Sequence, residues 1–450
     1  MSRPHTTAGL AAFAAGLQLD TIPAEAIATA SRLVTDTVAV AWAGAEAPGI
    51  ATARQVAVAQ GGAPQSRLWG SSGRLPPAEA AFVNAAAAAA LDYDAVHPGS
   101  LLHADAMVLP VAVGLGEARR ASGAEVLTAH IAGVEIAHRL ALSTPRRGGW
   151  FLSSVFGVFG AAAAAARVMR LDAGRTAHAL GIASTLSAGT KQAMAEQTLT
   201  KRLQTGFAAR GGIQAALLAE AGVTGPEDWL DGQYGWYRLF EAGDAALAVK
   251  ELGRDFVFAA TGIKKYPACL ACHAAIEAAL QLVHEYDLTP DDVVASRLTI
   301  PPYVANLVGE PYKPGADAQV AAQFSIRYGI AAVLERGCFT LSEIADAATR
   351  APHLIARAGT VAIAIDEREP GQSGPAVVTL VSRRHGDLTR RVEHPPGGSQ
   401  APLTEAQLAA KFADCLACGA APPDPAAAAR LRERLQALDT LPDATALICP

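Results

Sequence analysis

Acidic and imidazole side chains are concentrated in one stretch of this chain, LDYDAVHPGSLLHAD, which directly follows six consecutive alanines. The stretch holds three aspartates and two histidines, namely Asp92, Asp94, Asp105, His97 and His103. Such residues can bind a metal ion, transfer protons near neutral pH, or lie solvated at the end of a helix. The spacing and the rest of the sequence must distinguish these three alternatives.

The spacing argues against two metal ligands carried on one helix. If the helix continues to about Val96, Asp92 and Asp94 do not share a face, because they are two residues apart. Pro98-Gly99 ends any helix, so His103 can return toward the helix end that carries the carboxylates. An imidazole beside a carboxylate is held in one tautomer, which suits proton transfer. A solvated helix end remains the simpler alternative on composition alone.

Lysine is rare in this chain, and its positions are therefore informative. Arginine supplies most of the 37 Lys and Arg residues. Lys201 precedes an apolar, Gly-rich helical stretch, and Lys264 and Lys265 precede Pro267, which restricts the backbone before the next helix. An ammonium group can bind a carboxylate or a developing enolate oxygen. Taken singly, each of these lysines is most simply a surface residue.

Two CxxC pairs suggest a zinc site or, because His273 follows Cys272, covalent haem attachment. The pairs, Cys269/Cys272 and Cys415/Cys418, lie far apart in alanine-rich, helix-like sequence and not in Gly-rich turns. The amino-terminal sequence does not predict an export signal, which haem attachment normally accompanies. We therefore expect no metal and no cofactor, and cysteines that are small buried side chains.

Composition limits the class of protein. The chain has 450 residues, of which 51% are hydrophobic and 18% charged, so two or three ordered domains are expected. A formal charge of −5 provides no basic surface for nucleic acid. The longest uncharged apolar run, Val155–Ala166, is too short to cross a membrane. No Walker, GxGxxG, HExxH or GxSxG signature occurs. We expect a cytoplasmic protein without nucleic-acid or membrane partners.

Helical periodicity dominates the sequence from residue 8 to about residue 260. Apolar residues recur at three-to-four spacing, and Gly and Pro separate the segments. The predicted helices are Pro23–Ala43, Pro77–Tyr93, Gly123–Leu142, Ser153–Leu171, Arg175–Ala188 and Phe207–Ala221. The candidate acids therefore lie at the end of one predicted helix, and Lys201 lies just before another.

After Lys265 the sequence changes to an α+β pattern with predicted helices near 270–286 and 320–335. β-branched or alternating segments predict strands at Arg297–Pro301, Thr360–Ile365, Ala376–Ser382 and Leu388–Glu393, the last two forming a hairpin. A Pro/Gly-rich segment then precedes a capping box of Thr404 and Gln407, which opens a predicted helix at Glu405–Cys418. We expect this helical tail to pack back on the first domain.

Several stretches, in this order and spacing, resemble the MmgE/PrpD family, which includes 2-methylcitrate dehydratase, cis-aconitate decarboxylase and iminodisuccinate epimerase. They are LWGSSGRLPPAEAAFVNAAAAAALDYD, SLLHADAMVLPVAVGLGE, GVEIAHRL, SSVFGVFGAAAAAARVMRLD, TKRLQTGFAARGGIQAALLAEAGVTGPEDWLDGQYGWYRLF, IKKYPACLACHAAIEAAL and AQFSIRYGIAAVL. The resemblance implies a mainly α protein in which a large all-helical domain is built from both chain ends, residues 1–264 and 403–450. A smaller α+β lid domain, residues 265–402, would close over it, in a homodimer without metal or organic cofactor. Family catalytic residues map onto Asp92, His103, Lys201 and Lys264.

The chain departs from the family pattern at several of these motifs. Ala95 and Val96 stand where the family has an acid and a hydroxyl, and Asp105 stands where glycine is usual. Phe151 replaces a family histidine, and Gln204 replaces the histidine that commonly follows the first lysine. These changes predict altered substrate specificity or altered chemistry.

The resemblance and the residues together predict a lyase that removes a proton α to a carboxylate of a small di- or tricarboxylic acid. Loss of a β-hydroxyl would make the enzyme a dehydratase, with His103 as acid or base and Asp92 either orienting it or hydrogen-bonding the substrate. Lys201 and Lys264 would stabilise the enolate-like charge. Further substrate-binding candidates are Asp94, His97 as a second imidazole, Trp150, Phe151, Gln204, Lys265 and Tyr266. An epimerase, a decarboxylase and a non-catalytic carboxylate-binding protein are the alternatives.

Overall fold

A computed structural model describes residues 6–145 and 148–448 of the chain. The ends of the predicted helical domain, residues 1–5, 449 and 450, therefore lie outside the described residues. Helices are numbered α1 to α20 and strands β1 to β6 in chain order.

The first part of the chain is helical apart from one two-residue β-pair, β1 (Ser66–Arg67) with β2 (Arg74–Leu75). Its helices are α1 (Thr6–Gly16), α2 (Ala24–Gly44), α3 (Ile50–Gln60), α4 (Pro77–Ala90), α5 (Ala104–Arg119), α6 (Gly123–Leu142), α7 (Leu152–Val168), α8 (Ala173–Ser184), α9 (Gln192–Ala195), α10 (Thr200–Glu220), α11 (Trp236–Leu239) and α12 (Ala245–Val249). Short 3-10 turns occur at Leu19–Thr21 and Val257–Ala260.

The second part alternates helices and strands. Its helices are α13 (Leu270–Glu285), α14 (Pro302–Val308), α15 (Ala318–Gln323), α16 (Ile326–Arg336), α17 (Asp346–Thr349), α18 (Pro352–Gly359), α19 (Glu405–Ala417) and α20 (Pro425–Gln436). Its strands are β3 (Val293–Ile300), β4 (Val361–Ile365), β5 (Ala376–Ser382) and β6 (Gly386–Val392). Further 3-10 turns lie at Pro290–Asp292, Leu438–Thr440 and Ala444–Ala446.

Small residues allow the central helices to approach closely. In α4 every residue from Ala80 to Ala90 is buried, so all of this alanine-rich helix after its first turn lies inside the protein. Gly133 of α6 faces Gly160 of α7, and a Cβ at Gly133 would lie 2.5 Å from the Gly160 carbonyl oxygen. Larger side chains at this crossing would separate the two helices, which pack along their length.

The second part contains one four-stranded sheet with the order β4-β3-β5-β6. Strands β3 and β4 are parallel, with Leu298 opposite Ile363, whereas β3/β5 and β5/β6 are antiparallel. The hairpin between β5 and β6 closes with Ser382 opposite Gly386. Helix α13 packs against β5 and β6, and α16 packs on α13. The sheet therefore supports α13, whose first turn follows the Lys264 segment.

The chain is mainly helical with a small sheet, as the sequence predicts, and the predicted hairpin is confirmed. The box of Thr404 and Gln407 opens α19, and both reciprocal hydrogen bonds are present. Helices α19 and α20 pack against α2, near the start of the chain. Two boundaries are wrong in ways that affect function. Helix α4 ends at Ala90, before Tyr93, because Asp92 has a left-handed backbone (φ 50°). Helix α10 begins at Thr200 and not at Phe207, so Lys201 lies within its first turn and not before it.

None of the helices among the described residues combines the length and the apolar character that a transmembrane segment requires.

Candidate active site

Asp92 is the centre of a buried cluster with two lysines, which we call the lysine–carboxylate cluster (Asp92, Lys201 and Lys264). Lys201 Nζ donates to Asp92 Oδ1 at 2.6 Å, and Lys264 Nζ donates to Asp92 Oδ2 at 2.9 Å. Lys264 also donates to the Asp92 carbonyl oxygen at 2.8 Å. All three side chains are buried, so each ammonium group is held in a defined position.

The local backbone explains how these three residues meet. The left-handed conformation of Asp92, which Asp tolerates better than most residues, turns the chain sharply after α4. Val96 and Gly262 then exchange two backbone hydrogen bonds of 2.9 and 3.0 Å, which bring the Lys264 segment beside the Asp92 segment. Lys201 arrives from the first turn of α10, which packs against α4.

The charges in the cluster stabilise one another. Burial by itself would raise the pKa of Asp92, but Lys201 and Lys264 outweigh it and hold the pKa well below its usual range. Burial would likewise lower the pKa of Lys264, but the charges of Asp92 and Asp94 raise it. Asp92 is therefore ionised at neutral pH, and one carboxylate shared by two lysines has a formal net charge of one positive unit.

His103 is paired with the other aspartate of the LDYD motif. Its Nδ1 lies 3.0 Å from Asp94 Oδ2, and Asp94 is buried whereas His103 is partly exposed. Burial acts to raise the pKa of Asp94, but the His103 imidazole lowers it. The sequence prediction that Asp92 orients His103 is therefore corrected: Asp94 contacts the imidazole, and Asp92 contacts the lysines.

These residues share one cavity of about 450 Å³. Asp92, His103, Lys201 and Lys264 all line it, together with the predicted Phe151. Its other walls are formed by Val96, Leu101, Pro145, Leu152, Ser153, Lys191, Met194, Cys269, Leu270, Ala271, Tyr303, Leu307, Phe324, Gln372 and Ser373. A cavity of this size, partly apolar with a few fixed charges, is typical of a small-molecule site.

A further buried lysine, Lys411, supports the lysine–carboxylate cluster from outside the cavity. Lys411 of α19 is buried and donates to the carbonyl oxygens of Tyr93 and Lys264, at 3.0 and 2.9 Å. It also forms an ion pair of 2.6 Å with Asp36 of α2. Lys411 thus connects the backbone beside Asp92 with the backbone of Lys264, and sequence reasoning assigned it no role.

His97 does not line the cavity. Its Nδ1 accepts hydrogen bonds from the amides of Gly99 and Ser100, and its Nε2 lies 3.0 Å from the carbonyl oxygen of Val257. Both ring nitrogens are therefore engaged by the backbone of the surrounding turns. This placement does not fit the predicted second imidazole, and His97 is better explained as shaping the loop before His103.

Other candidates also lie outside the lining of the cavity. Lys265 and Tyr266 both contact Glu277, and they line a separate cavity behind the site. The Trp150 ring packs edge-on against Phe240, with 5.2 Å between ring centroids. Gln204 is buried without reaching the cavity wall. Asp105, unusual at its position, lies 3.1 Å from buried His130 and not in the cavity.

Most of the other lining residues were not predicted, and among them Lys191, Cys269 and Tyr303 carry ionisable side chains. The rarity of lysine was a usable signal for Lys191. The CxxC pattern singled out Cys269 but was interpreted as a pair of small buried side chains, whereas Cys269 is half-buried in the lining of the cavity. Burial and the charge of Asp92 raise the pKa of the Cys269 thiol to about 11, so it is protonated at neutral pH. Among the described residues, no group of three or more His, Cys, Asp and Glu side chains converges as a metal site.

The fold and the cavity define a mainly α protein with a small sheet and a buried lysine–carboxylate cluster. Family models for the MmgE/PrpD N-terminal domain and the MmgE/PrpD C-terminal domain match residues 8–247 and 266–437. The chain belongs to the MmgE/PrpD family, as its motifs indicated.

Similar proteins of known name are cis-aconitate decarboxylases. The chain is 31% identical to that of Homo sapiens over 350 residues, covering 72% of this chain and 69% of the relative. It is 30% identical to that of Mus musculus over 362 residues, covering 76% and 72%. Identity to that of Aspergillus terreus (strain NIH 2624 / FGSC A1156) is 29% over 302 residues, 63% of this chain. That last match spans only 61% of the relative's length.

Proposed function

We propose that this protein is a cofactor-independent lyase that acts on a small di- or tricarboxylic acid. The observation that carries the proposal is the position of His103 beside the lysine–carboxylate cluster, in the lining of one cavity. The net positive cluster binds a substrate carboxylate and stabilises the charge that develops on it when the α-carbon becomes carbanion-like. His103, oriented by Asp94, transfers the proton at that carbon.

Decarboxylation is the lyase reaction that this geometry supports best. One carbon–carbon bond breaks, its electron pair delocalises into an adjacent acceptor carboxylate or alkene bound near the lysines, and carbon dioxide leaves. His103 then donates one proton to the carbanionic carbon and regains it from water. A single imidazole is enough for this reaction, and the apolar wall of Phe151, Leu152 and Phe324 favours release of a neutral product. The relatives named above are decarboxylases, which supports the same choice.

Dehydration, to which the sequence pointed first, is the second candidate. It needs a base at the α-carbon and a separate acid for the departing hydroxyl group. Tyr303 lies in the lining and carries a hydroxyl that could serve as this acid.

An epimerase would need two proton carriers on opposite faces of the substrate. Since His97 is engaged elsewhere, we rank epimerisation below both lyase reactions.

A turnover screen over small carboxylic acids tests the proposal. Released carbon dioxide identifies decarboxylation, a new alkene absorbance with loss of water identifies dehydration, and solvent deuterium in an unchanged skeleton identifies epimerisation. His103→Asn and Lys201→Met should each abolish the observed reaction, whereas the exposed Lys313→Met should not. Full turnover by His103→Asn would overturn the assignment. Saturable thermal stabilisation without any turnover would instead indicate a non-catalytic carboxylate-binding protein.

The predicted assembly belongs to the same proposal. We propose that residues 1–264 and 403–450 form one helical domain and that residues 265–402 form the lid, because the cavity is lined from both. Lys201 and His103 come from the helical part, and Tyr303 and Phe324 come from the α+β part. We also propose a homodimer located in the cytoplasm.

A further inference from the structure

Arg202, the residue after Lys201, is a buried charge that joins the two parts of the chain. It lies in the first turn of α10 and is only 1% exposed. Its Nη1 donates to the Pro48 carbonyl oxygen at 2.8 Å, and its Nη2 donates to Gln319 Oε1 at 2.8 Å. The same Nη2 lies 3.6 Å from Asp317 Oδ2. One guanidinium group therefore holds the backbone of the helical part together with two side chains at the start of α15.

This contact matters because the helices of the two parts do not pack extensively against one another. Among the described residues, extended packing between helices and strands stays within residues 6–264 and 403–448, or within residues 265–402. Arg202 adds a side-chain connection to the two places where the backbone crosses between the parts. Burial lowers the pKa of Arg202, whereas the charge of Asp317 raises it. A buried guanidinium that loses its partners is strongly destabilised, so the arrangement with α15 beside α10 is favoured.

Helix α15 also determines where one wall of the cavity lies. It ends at Gln323, and Phe324, directly after it, lines the cavity. The Lys201 ammonium group lies 5.3 Å from the centre of the Phe324 ring. Two consecutive side chains of α10 thus hold Asp92 on one side and α15 on the other. The contact made by Arg202 therefore fixes the Phe324 wall relative to the lysine–carboxylate cluster.

We propose that Arg202 is a positioning residue that holds the α+β part closed over the cavity through Asp317 and Gln319. Arg202 does not line the cavity, and it acts through α15 and Phe324. The inference rests on the proposed function, because it treats residues 265–402 as a lid over a carboxylate site. Without the contact the closed arrangement is less populated, and the apparent affinity for a ligand falls in proportion to the closed fraction.

Hydrogen exchange of the ligand-free full chain tests this proposal. Arg202→Met should speed the exchange of the amides of α15 and Phe324 by about tenfold or more, because this segment loses its partner in α10. The amides of α7, in the centre of the helical part, should change by less than about twofold. Arg210→Met is the matched control, since Arg210 lies on the same helix but pairs with Glu79 of α4. It should leave the exchange of α15 unchanged.

A variant on the other side of the contact separates a lost connection from a folding defect at Arg202. Gln319→Met removes the acceptor and keeps the arginine, so it should also speed the exchange of α15. The double variant should exceed the larger single effect by less than about twofold, because both substitutions remove the same contact. Fully additive effects would contradict a shared contact.

Binding of succinate, used as a probe of the carboxylate site, separates positioning from a merely local structural role. Arg202→Met should weaken succinate binding by about five- to tenfold in calorimetry. Saturating succinate should return the exchange of α15 in this variant toward the wild-type rate, because binding favours the closed arrangement.

Equal exchange of α15 in the wild type and Arg202→Met would overturn the inference, as would faster exchange throughout both parts or an unchanged affinity for succinate. A wild type that binds no succinate would count against the proposed carboxylate site. The exchange rates of the ligand-free protein would still decide the role of Arg202, because they are measured without a ligand or a reaction.

Discussion

At the scale of single residues, the two aspartates of the LDYD motif have separate partners although they are two positions apart. Asp92 contacts both lysines, and Asp94 contacts His103. The left-handed backbone at Asp92 makes this possible, because it directs the two side chains to different groups. Their substitutions should therefore have different consequences.

Substitution of Asp94 should impair the proton transfer that we assign to His103. Asp94→Asn keeps the shape of the side chain but removes the charge that holds the imidazole, so we expect kcat to fall by about 10- to 100-fold. KM should change little, because Asp94 does not line the cavity. Steady-state kinetics over a range of pH would measure both effects. An unchanged kcat would contradict a role for Asp94 in orienting His103.

Substitution of Asp92 should instead affect stability and anion binding. Asp92→Asn leaves two buried ammonium groups without their shared carboxylate, and we expect the free energy of unfolding to fall by about 3–5 kcal/mol. Added succinate should restore part of this loss, because its carboxylate can replace the missing charge. Thermal unfolding with and without succinate measures the effect. A variant as stable as the wild type, or one that succinate stabilises less than it does the wild type, would contradict this account.

At the scale of elements, α19 connects the end of the chain to the active site through Lys411. Its ammonium group joins the backbones of Tyr93 and Lys264 and pairs with Asp36 of α2. A helix outside the cavity therefore holds two segments that form it. We infer that the position of α19 on α2 sets the distance between Asp92 and Lys264.

The Asp36–Lys411 pair should make stability depend on pH. Burial raises the pKa of Asp36 to about 6, although Lys411 acts to lower it. Between about pH 4 and pH 6 the folded state therefore keeps a proton that the unfolded state has lost. The contribution of Asp36 to stability is full below about pH 4 and decreases as pH rises through 6, by at most about 1.4 kcal/mol per pH unit.

Unfolding of the wild type and Asp36→Asn at several pH values between 4 and 7 tests this prediction. Because Asn does not titrate, the stability of the wild type relative to the variant should decrease as pH rises from 4 to 6. Taking the difference removes the contributions of the other titrating groups. If the difference in free energy of unfolding between the wild type and Asp36→Asn stays constant over this range, Asp36 is not the group that takes up the proton.

At the scale of the whole molecule, α10 has two faces with different tasks. Its buried face carries Lys201 and packs against α4 and α7. On the opposite face Phe207, Leu217 and Leu218 are exposed, with exposed fractions of 47%, 40% and 37%. An apolar stripe at helical spacing is typical of an interface between subunits. It offers a surface for the proposed homodimer.

Charges placed on this stripe should dissociate the dimer. Loss of one buried leucine from an interface weakens the free energy of association by roughly 1.5–3 kcal/mol. Leu217→Glu combined with Leu218→Glu should therefore raise the dissociation constant of the dimer by about 100-fold or more. Light scattering after size-exclusion chromatography would measure the mass. Val294→Glu, at an exposed apolar residue of β3, is the matched control and should remain dimeric. A wild-type chain that is monomeric at micromolar concentration would contradict the proposal.

The sequence by itself determined the family, the mainly helical fold, the hairpin of β5 and β6 and the capping box of α19. These features depend on local patterns: helical periodicity, turn residues and caps act within a few residues of one another. It also selected Asp92, His103, Lys201 and Lys264, which the structure brings around one cavity. Their chemical roles remain predictions that the substitutions above test.

Only the tertiary structure decided which charges meet. Lys201 and Lys264 lie 109 and 172 residues from Asp92 in the chain, and helix packing brings them into contact. The same packing brings Lys191 and Cys269 into the lining of the cavity and leaves His97 and Lys265 outside it. No local sequence pattern predicts these ion pairs. Each of them depends on the relative positions, in the folded protein, of the end of α4, the start of α10 and the Lys264 segment. Of the acids and imidazoles of LDYDAVHPGSLLHAD, Asp92 therefore joins the lysine–carboxylate cluster and Asp94 pairs with His103. His97 holds the loop before His103, and Asp105 contacts His130 outside the cavity.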